Sequence, residues 1–460
     1  MTRGKKLLVL LGVLAAVVIL SVIILRVVNN QSNSGESYGH SILQVDEDSV
    51  TQIQWTYEGQ TMTFNKEGDT WTYADDAAFP VNADYLDTMV TQLKSVYAYK
   101  TIEDVTDTAQ YGLDDPQVTV KVNDGEDHTL VIGDLNALEE NVYVSIGDGN
   151  VYLANTTLGD NFEYSLLDVA AKESVPDMDT VTSFSISGTG EVTAVYNENG
   201  GDIYSSTYVW FSEDNGTEVA LDTENTEDIV SDIKAITFNT CAAYAPSDEE
   251  LSQFGLADPA GTITMNYTDA DGNTGAFTIY VGSATEDSAY YYAMTGAKDR
   301  VYTISSSVAE SIINTNLESL LPDDVIKMDW DTVESIDVTV DGKTFTLKRK
   351  SEDSGETDDD GNAIETSVWK LNGETVDIGS YLTQLNSLSG TRTNGLTEGD
   401  EYVKFEIHRS TDTYSDMTLV FGIYSDDNYT VTLDGSTNIL IDKDSADNVL
   451  QNIIDAIDPE

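Results

Sequence analysis

Three segments of the chain carry apolar residues at the 3.6-residue spacing of an amphipathic helix. Each follows a segment in which apolar and polar residues alternate, the pattern of a strand with one buried face. The alternating segments contain Trp71, Trp210 and Trp369, one in each. The helical positions are Leu86, Met89, Val90, Leu93 and Val96, then Ile229, Val230, Ile233 and Ile236, then Leu382, Leu385 and Leu388. The pattern therefore predicts one hairpin-and-helix unit that occurs three times.

Glycines recur with the same period. The Gly-Leu pairs begin at Gly112, Gly255 and Gly395, which are separated by 143 and 140 residues. A second glycine ends an apolar strand 21, 27 and 27 residues later, and these glycines are Gly133, Gly282 and Gly422. We interpret the agreement as evidence of three tandem copies.

After the second glycine, each copy has two further strand patterns and a closing helical pattern. The strand patterns cover 142–146 and 151–153, 290–294 and 301–304, and 429–433 and 439–441; the helical patterns cover 162–171, 308–321 and 446–457. This order of hairpin, helix, strand meander and helix predicts an α+β fold. Residues 351–366 form an acidic insertion that we interpret as a solvated hairpin loop.

The N-terminus predicts a membrane anchor. Residues 7–25 contain no charged residue and approach the roughly 20 residues that span a bilayer. Arg3, Lys5 and Lys6 precede the run and Arg26 alone follows it, so the N-terminus is expected in the cytoplasm and the remainder on the outer face. A cleaved signal peptide is the alternative. The predicted divisions are a cytoplasmic stub and transmembrane helix (1–28), a tether (29–41), repeat units at 42–177 and 178–322, and a divergent third repeat at 323–460.

Composition excludes some functions. The formal charge of −60 repels nucleic acid and anionic lipid headgroups and favours cationic partners. Cys241 is the single cysteine, so an intramolecular disulfide is impossible, and we expect a buried small side chain there.

Candidate catalytic motifs are weak. Ser231 and Lys234 match the Ser-x-x-Lys motif of penicillin-recognising proteins. The Lys-Thr-Gly motif that should accompany it is missing, and the first copy has Thr91 and Lys94 at the same place. We therefore interpret these residues as a helix surface.

Metal and ligand motifs are also weak. The histidines His40, His128 and His408 lack the spacing of a zinc site. Residues 269–273 and 358–362 resemble calcium loops but lack the glycine and glutamate positions of an EF-hand, so we predict turns. The run Tyr290, Tyr291 and Tyr292 is expected to pack against an adjacent repeat. We predict no catalytic, cofactor-binding or metal-binding residues and no enzymatic activity.

Several short motifs together resemble the bacterial family of domain of unknown function DUF4340. They are Pro80-Val81-Asn82 before the first helix, Tyr111-Gly112-Leu113-Asp114-Asp115-Pro116, and Ile132-Gly133-Asp134. The resemblance covers about residues 42–320 and is weaker in the third copy, where Asn394 precedes Gly395 and the proline is absent. It implies an exported, membrane-tethered protein whose gene accompanies ABC-type transport components, and it implies no catalytic residues.

The function we predict is that of a non-enzymatic accessory or scaffold subunit of an ABC-type transport complex, in contact with its permease or ATPase. The alternative is a cell-surface module that binds wall glycan or peptide, as tyrosine-rich strands and acidic faces can do. The oligomeric state stays open.

Overall fold

The computed structural model describes residues 39–459 except 137, 139, 199–206, 215, 358–362, 394 and 411–414. Of these residues, 45% lie in strands and 20% in helices. As far as it is described, the chain forms two compact units that divide between Lys172 and Glu173. The first contains one nine-stranded antiparallel sheet and the second contains two, and we call each sheet with its helices a repeat.

The first repeat has the sheet order β1-β5-β9-β8-β7-β6-β2-β3-β4. Its elements are β1 (His40–Leu43), β2 (Gln52–Tyr57), β3 (Gln60–Glu67), β4 (Thr70–Tyr73), α1 (Ala83–Leu93), β5 (Val96–Ile102), β6 (Val118–Asn123), β7 (Asp127–Asn136), β8 (Asn141–Ser145), β9 (Val151–Asn155) and α2 (Thr157–Asp160).

The second repeat has the order β13-β12-β11-β10-β15-β16-β17-β18-β14. Its elements are β10 (Thr180–Ser187), β11 (Glu191–Tyr196), β12 (Trp210–Asp214), β13 (Thr217–Ala220), α3 (Thr223–Lys234), β14 (Cys241–Tyr244), α4 (Asp248–Gln253), β15 (Gly261–Thr268), β16 (Thr274–Ala284), β17 (Tyr290–Thr295), β18 (Arg300–Ser305), α5 (Ser306–Asn314) and α6 (Leu317–Leu320).

The third repeat has the order β22-β21-β20-β19-β24-β25-β26-β27-β23. Its elements are β19 (Val333–Val340), β20 (Lys343–Thr357), β21 (Ala363–Leu371), β22 (Glu374–Val376), α7 (Gly379–Leu385), β23 (Thr391–Arg392), β24 (Asp400–Arg409), β25 (Met417–Ile423), β26 (Asn428–Leu433), β27 (Ser436–Asp442) and α8 (Lys443–Ile457).

The three repeats share one chain path. A meander opens each sheet, a helix crosses one face, and the next strand lies near the opposite edge. The chain then returns to pair with the first strand of the meander and fills the gap strand by strand. The ninth strand differs: β1 pairs with β5 in the first repeat, whereas β13 and β22 extend the opening meander of the other two.

One face of each sheet holds the core, because alternate side chains of a strand point to the same side. In the first repeat, α1 begins after Asn82, whose side chain accepts a hydrogen bond from the Asp84 N–H, and buries Leu86, Met89 and Leu93. In the third repeat, α7 and α8 contribute Leu382, Leu385, Leu450 and Ile453 to the core. The opposite face carries polar side chains such as Gln54 and Thr56 on β2 and Ser185 and Ser187 on β10.

The predicted α+β fold is wrong, because the protein is predominantly β. The sequence patterns revealed the central strands but missed short edge strands such as β22 and β23, which carry too few residues to show an alternation. The helices are also shorter than predicted. Among the described residues, the helix predicted at 162–171 is absent and the short α2 precedes it, and the pattern at 308–321 is split between α5 and α6. Only the last predicted helix, now α8, is present in full.

The acidic insertion at 351–366 was predicted as a loop, and most of it is strand. β20 continues to Thr357 and β21 begins at Ala363. Charged side chains are compatible with a strand whose faces meet solvent, and Lys370 forms an ion pair with Glu352 within this ribbon. The turn residues 358–362 lie outside the described residues.

The predicted anchor at residues 7–25, together with most of the predicted tether, lies outside the described residues. The end of the tether is a strand, because β1 begins at His40. Within residues 39–459, as far as they are described, no helix has the length and apolar character needed to cross a membrane. The predicted repeat boundaries stay predictions.

Candidate functional site

A tryptophan marks the same strand of each repeat. Trp71 lies on β4, Trp210 on β12 and Trp369 on β21, each in the third strand of the opening meander, and all three are buried. The helix that follows the meander passes beside this position. The surroundings of the three tryptophans differ, and these differences define the candidate site.

In the first repeat, the indole N–H of Trp71 is satisfied. It donates to Asp87 Oδ1 of α1 at 2.9 Å, and Lys66 Nζ donates to the same oxygen at 2.9 Å. The Lys66 ammonium also lies 5.0 Å from the centroid of the Trp71 ring. Burial raises the pKa of Asp87, but the hydrogen bonds from Trp71 and Lys66 outweigh it and hold the pKa below its ordinary value.

In the second repeat, the indole N–H of Trp210 has no hydrogen-bond partner among the described residues, although the side chain is only 3% exposed. A cavity of about 600 Å³ lies beside the ring. Glu227, Ser231 and Lys234 of α3 line it together with Tyr196 and Asp179. Tyr196 packs on Trp210 with ring centroids 5.3 Å apart.

In the third repeat, the helix approaches Trp369 without a side chain. A Cβ atom placed on Gly379 at the start of α7 would lie 3.9 Å from Trp369 Cδ1. Arg349, the cross-strand neighbour of Trp369, bonds instead to Val333 O at 2.8 Å and to Asp331 Oδ1 at 3.0 Å. The three repeats share one chain path but differ on the helix side of this strand. The first has an ion pair there, the second a cavity and the third a glycine.

The Gly-Leu motifs form a structural corner. Gly112 has φ +69° and Gly255 has φ +70°, a backbone conformation that favours glycine. A Cβ atom on Gly133 would lie 2.3 Å from Tyr111 O, and one on Gly282 would lie 2.2 Å from Phe254 O. The two glycines of each motif pair therefore allow one backbone segment to lie directly on another.

Aromatic rings close this corner. Tyr111 packs on Tyr143 at 4.8 Å in the first repeat, and Phe254 packs on Tyr292 at 4.6 Å in the second. The expectation that the Tyr290–Tyr292 run packs against an adjacent repeat is thus wrong for Tyr292, whose ring contacts Phe254 of its own repeat. Tyr290 is 39% exposed.

The third repeat builds the corner from a different glycine. A Cβ atom added at Gly395 would have nothing within 4 Å. A Cβ atom added at Gly422 would lie 2.8 Å from Gly399 O. Thr430 Oγ1 accepts the Gly399 N–H at 2.9 Å. The Gly-Leu pattern therefore predicts Gly395 as the equivalent of Gly112 and Gly255, whereas the close contact is made by Gly399, four residues later.

The polar sheet faces form grooves. In the second repeat, a groove of about 940 Å³ crosses the face opposite the core, and Ser185, Thr193, Thr262 and Glu213 line it. We call this surface the hydroxyl groove. A groove of about 810 Å³ lies on the equivalent face of the first repeat.

The hydroxyls of these grooves are paired differently. In the first repeat, Thr56 and Thr61 bond each other at 2.8 Å, and their groove also includes Asp115 and Pro116, the end of the Tyr-Gly-Leu-Asp-Asp-Pro motif. In the hydroxyl groove, the Ser185 and Thr193 side chains bond to no other described residue. They are exposed and available to hydrogen-bond an incoming polar group.

The other residues that the sequence motifs single out do not come together in one site. Ser231 and Lys234 are exposed on α3, and Cys241 is buried on β14. The described residues contain no group of three or more His, Cys, Asp and Glu side chains arranged for a metal ion. Asp269 is occupied within its own turn, where Oδ1 accepts from the Asp271 and Asn273 N–H groups. The second calcium-like segment, 358–362, lies outside the described residues.

The histidines are separate from one another. The His40 Nε2 atom, on β1, lies 3.2 Å from Thr101 Oγ1. The His128 Nε2 atom lies 3.0 Å from Asp124 Oδ1. His408 lies between two carboxylates, 3.0 Å from Asp416 Oδ2 and 3.4 Å from Asp337 Oδ2. Asp416 and then Asp337 raise the pKa of His408 above its ordinary value, and burial opposes them only in part.

Comparison with known proteins gives a family and no closer relative. A family described as a domain of unknown function (DUF4340) matches residues 71–239 and again residues 210–402. The two matches begin at Trp71 and Trp210, the tryptophans that occupy the same strand in successive repeats. No curated protein and no solved structure matches the chain.

Proposed function

This chain belongs to the DUF4340 family, and on that premise we propose that it is a non-enzymatic, membrane-anchored extracytoplasmic scaffold, an accessory subunit of an ABC-type transport complex. The apolar run at residues 7–25 is its anchor, and the three repeats lie on the outer face of the membrane. The observation that carries the proposal is the tandem repetition of one nine-stranded antiparallel sheet, together with the polar grooves on the first two sheets.

The second and third repeats support a scaffold because they share a core. Tyr208 and Phe211 of the second repeat belong to the same buried cluster as Val325 and Ile326, which lead into the third. Tyr208 OH also donates to Asp324 Oδ2 at 3.2 Å. A continuous core holds two polar sheet faces in a fixed relation, which suits a subunit that presents several surfaces to its partners.

The test is co-purification from gently solubilised membranes, read by mass spectrometry. The full-length protein is compared with the same chain lacking residues 1–28 and with a chain whose residues 7–25 are replaced by a scrambled apolar sequence. We expect a permease and its ATPase to accompany both anchored forms. Their absence from both would contradict the transport proposal.

A second candidate function is binding of wall glycan or peptide, and the hydroxyl groove favours it. Its volume lies within the range of ligand sites, and its Ser185 and Thr193 hydroxyls are available to replace water on a polar ligand. The test is sedimentation of the protein with purified wall material. Thr193→Arg should abolish it by filling the groove, whereas Asp271→Arg, in an exposed turn of the same repeat, should not. Equal retention of both variants would contradict this function.

A further inference from the structure

One turn occupies the same place in all three repeats. It joins β7 to β8, β16 to β17 and β25 to β26, directly after the strand-ending glycines Gly133, Gly282 and Gly422. The pairing before the turn confirms the equivalence of the first two repeats. Leu135 pairs with Val142 and Ala284 with Tyr291, each partner shifted by 149 residues. In the third repeat, Tyr424 follows the glycine by two residues, as Leu135 does in the first.

Large apolar and aromatic side chains are exposed at this turn in every repeat. The described part of the chain exposes nine such side chains, and five of the nine lie here. They are Leu135 and Leu138 in the first repeat, Tyr290 in the second, and Ile423 and Tyr424 in the third. We call these five residues the apolar turns.

The recurrence of these residues is the informative observation. A single exposed leucine or tyrosine is ordinary on a protein surface and indicates nothing about function. Here the exposure recurs at one turn of three copies, although the turn sequences differ. Packing does not explain it, because Leu138 is 96% exposed and Leu135 is 56% exposed. The apolar turns are therefore a surface that the repeats share.

Acidic residues accompany the apolar side chains in each repeat. They are Glu140 in the first turn, Glu286 and Asp287 in the second, and Asp426 and Asp427 in the third, and all are exposed. The turn segments 137–140, 285–289 and 424–427 contain no lysine or arginine. Lys443 of α8 borders the third turn, where its ammonium donates to Ser425 O at 2.7 Å. Apolar groups beside carboxylates fit a partner whose apolar pocket has a basic rim.

Two other occupants fit this surface less well. Anionic lipid headgroups would be repelled by the carboxylates beside each apolar side chain. A second copy of this chain brings a formal charge of −60 and the same acidic turns, so it offers few cations. Charge complementarity therefore favours a different, basic protein.

We propose that the apolar turns are a docking surface for a basic partner protein. The partner takes the exposed leucine, isoleucine and tyrosine side chains into apolar pockets and pairs its lysines or arginines with the neighbouring carboxylates. Three such sites on one chain strengthen the attachment, because each bound site holds the others at high effective concentration. The inference does not depend on the partner's being a transporter, so failure of one proposal leaves the other standing.

The test uses the full-length protein in detergent and a short fluorescent peptide of lysine and leucine that forms an amphipathic helix. A lysine and serine peptide of the same charge is the second probe. We expect Tyr290→Ser combined with Tyr424→Ser to weaken binding of the lysine and leucine peptide about tenfold, because two apolar anchors are lost. The lysine and serine peptide should bind the variant and the parent protein equally.

The matched control removes two other exposed tyrosines. Tyr97 and Tyr99 are each 52% exposed, more than Tyr290 or Tyr424, but they lie on β5 next to Lys100. We expect Tyr97→Ser combined with Tyr99→Ser to leave peptide binding unchanged. Thermal unfolding of both double variants checks that they fold as the parent does. No loss in the first variant, or equal losses in the two, would overturn the proposal.

The carboxylates are tested in the same way. Glu286→Gln combined with Asp426→Asn should weaken binding of the lysine and leucine peptide several-fold, because each removes a charge beside an apolar anchor. Glu249→Gln combined with Asp271→Asn makes the same change of charge at exposed positions outside the apolar turns, and should have little effect. Equal losses in these two variants would reduce the interaction to net charge and contradict the proposal.

Two further measurements identify the other occupants. A changed oligomeric state of the Tyr290→Ser and Tyr424→Ser variant in sedimentation velocity would show that a second copy covers the turns. Loss of peptide binding after reconstitution of the parent protein into phosphatidylcholine vesicles would show that the bilayer covers them. Either result would overturn the proposal, and we expect neither.

Discussion

The first and second repeats hold the same tryptophan in the same strand, yet one indole is sealed by side chains of its own repeat and the other borders a cavity. Trp71 shares an oxygen of Asp87 with Lys66, whereas the Trp210 N–H is buried without an acceptor among the described residues, and Glu227, Ser231 and Lys234 line the space beside its ring. A repeat can therefore keep its frame while the hydrogen bonding of its buried tryptophan differs between copies. Lys66 and Asp87 of the first repeat correspond to Tyr196 and Glu227 of the second.

The largest effect should come from breaking the frame that the two repeats share. Gly282→Ala places a methyl group 2.2 Å from Phe254 O, and a backbone carbonyl cannot move aside without disturbing the strand. We expect the free energy of unfolding to fall by about 3 kcal/mol or more. Urea titration followed by far-ultraviolet circular dichroism measures it.

Gly296→Ala in the same repeat is the matched control. Its Cβ would lie 3.6 Å from Thr278 Cβ, an ordinary contact, so we expect a change within about 0.5 kcal/mol. Equal effects of the two substitutions would show that the close glycine corner does not determine the stability of the repeat.

The next effect separates the paired tryptophan of the first repeat from the unpaired tryptophan of the second. Asp87→Ala leaves the buried Trp71 N–H without its acceptor and removes the ion pair of Lys66, so we expect a loss of about 2 kcal/mol. Glu227→Ala removes an exposed side chain without a described partner and should change the free energy of unfolding by about 0.5 kcal/mol or less. Losses of similar size in the two variants, measured by the same urea titration, would contradict the comparison.

A smaller difference should appear between the tryptophans themselves. Trp71→Phe and Trp210→Phe remove similar buried volumes, but only the first also removes a hydrogen bond. We expect Trp71→Phe to be more destabilising by about 1 kcal/mol, the usual net value of one hydrogen bond. Paired thermal and urea unfolding of the two variants checks this, and a larger loss for Trp210→Phe would refute it.

The sequence predicted the period of the repeats, but the fold class predicted from it was wrong. Trp71, Trp210 and Trp369 do occupy equivalent strands, because a large aromatic residue at a buried position is distinctive even in a single sequence. The fold class was wrong, since the two-residue β23 exists through pairing with the distant β27, and the three-residue β22 exists through its hairpin with β21. Local alternation cannot reveal such elements.

The site itself could be predicted only in part. Ser231 and Lys234 match a catalytic motif, but the first repeat has Thr91 and Lys94 there, and the structure places both residues on the exposed side of α3. The cavity beside them is also lined by Trp210 and Tyr196, which lie on other elements. Comparing Lys66 with Tyr196 and Asp87 with Glu227 would have given the one available signal.

The smallest expected effect is on the pH dependence of stability, and it again involves Asp87 beside Trp71. The pKa of Asp87 is lowered in the folded protein, so its ion pair stabilises the fold above the ordinary carboxyl pKa of about 4. This contribution is lost as the pH falls through the lowered folded value. We expect Asp87→Asn to flatten the acid limb of stability against pH, measured by thermal unfolding from pH 6 to pH 2. An unchanged acid limb would contradict the role assigned to this carboxylate.

Both proposed functions require the repeats to lie outside the cytoplasmic membrane, and the single cysteine makes this directly measurable. Cys241 is buried, so the native chain should give little background with a membrane-impermeant thiol reagent. Asp271→Cys places an exposed thiol in the turn between β15 and β16. The account predicts that intact cells label this variant as fully as lysed cells do. Labelling only after lysis would place the repeats inside the cell and contradict the account.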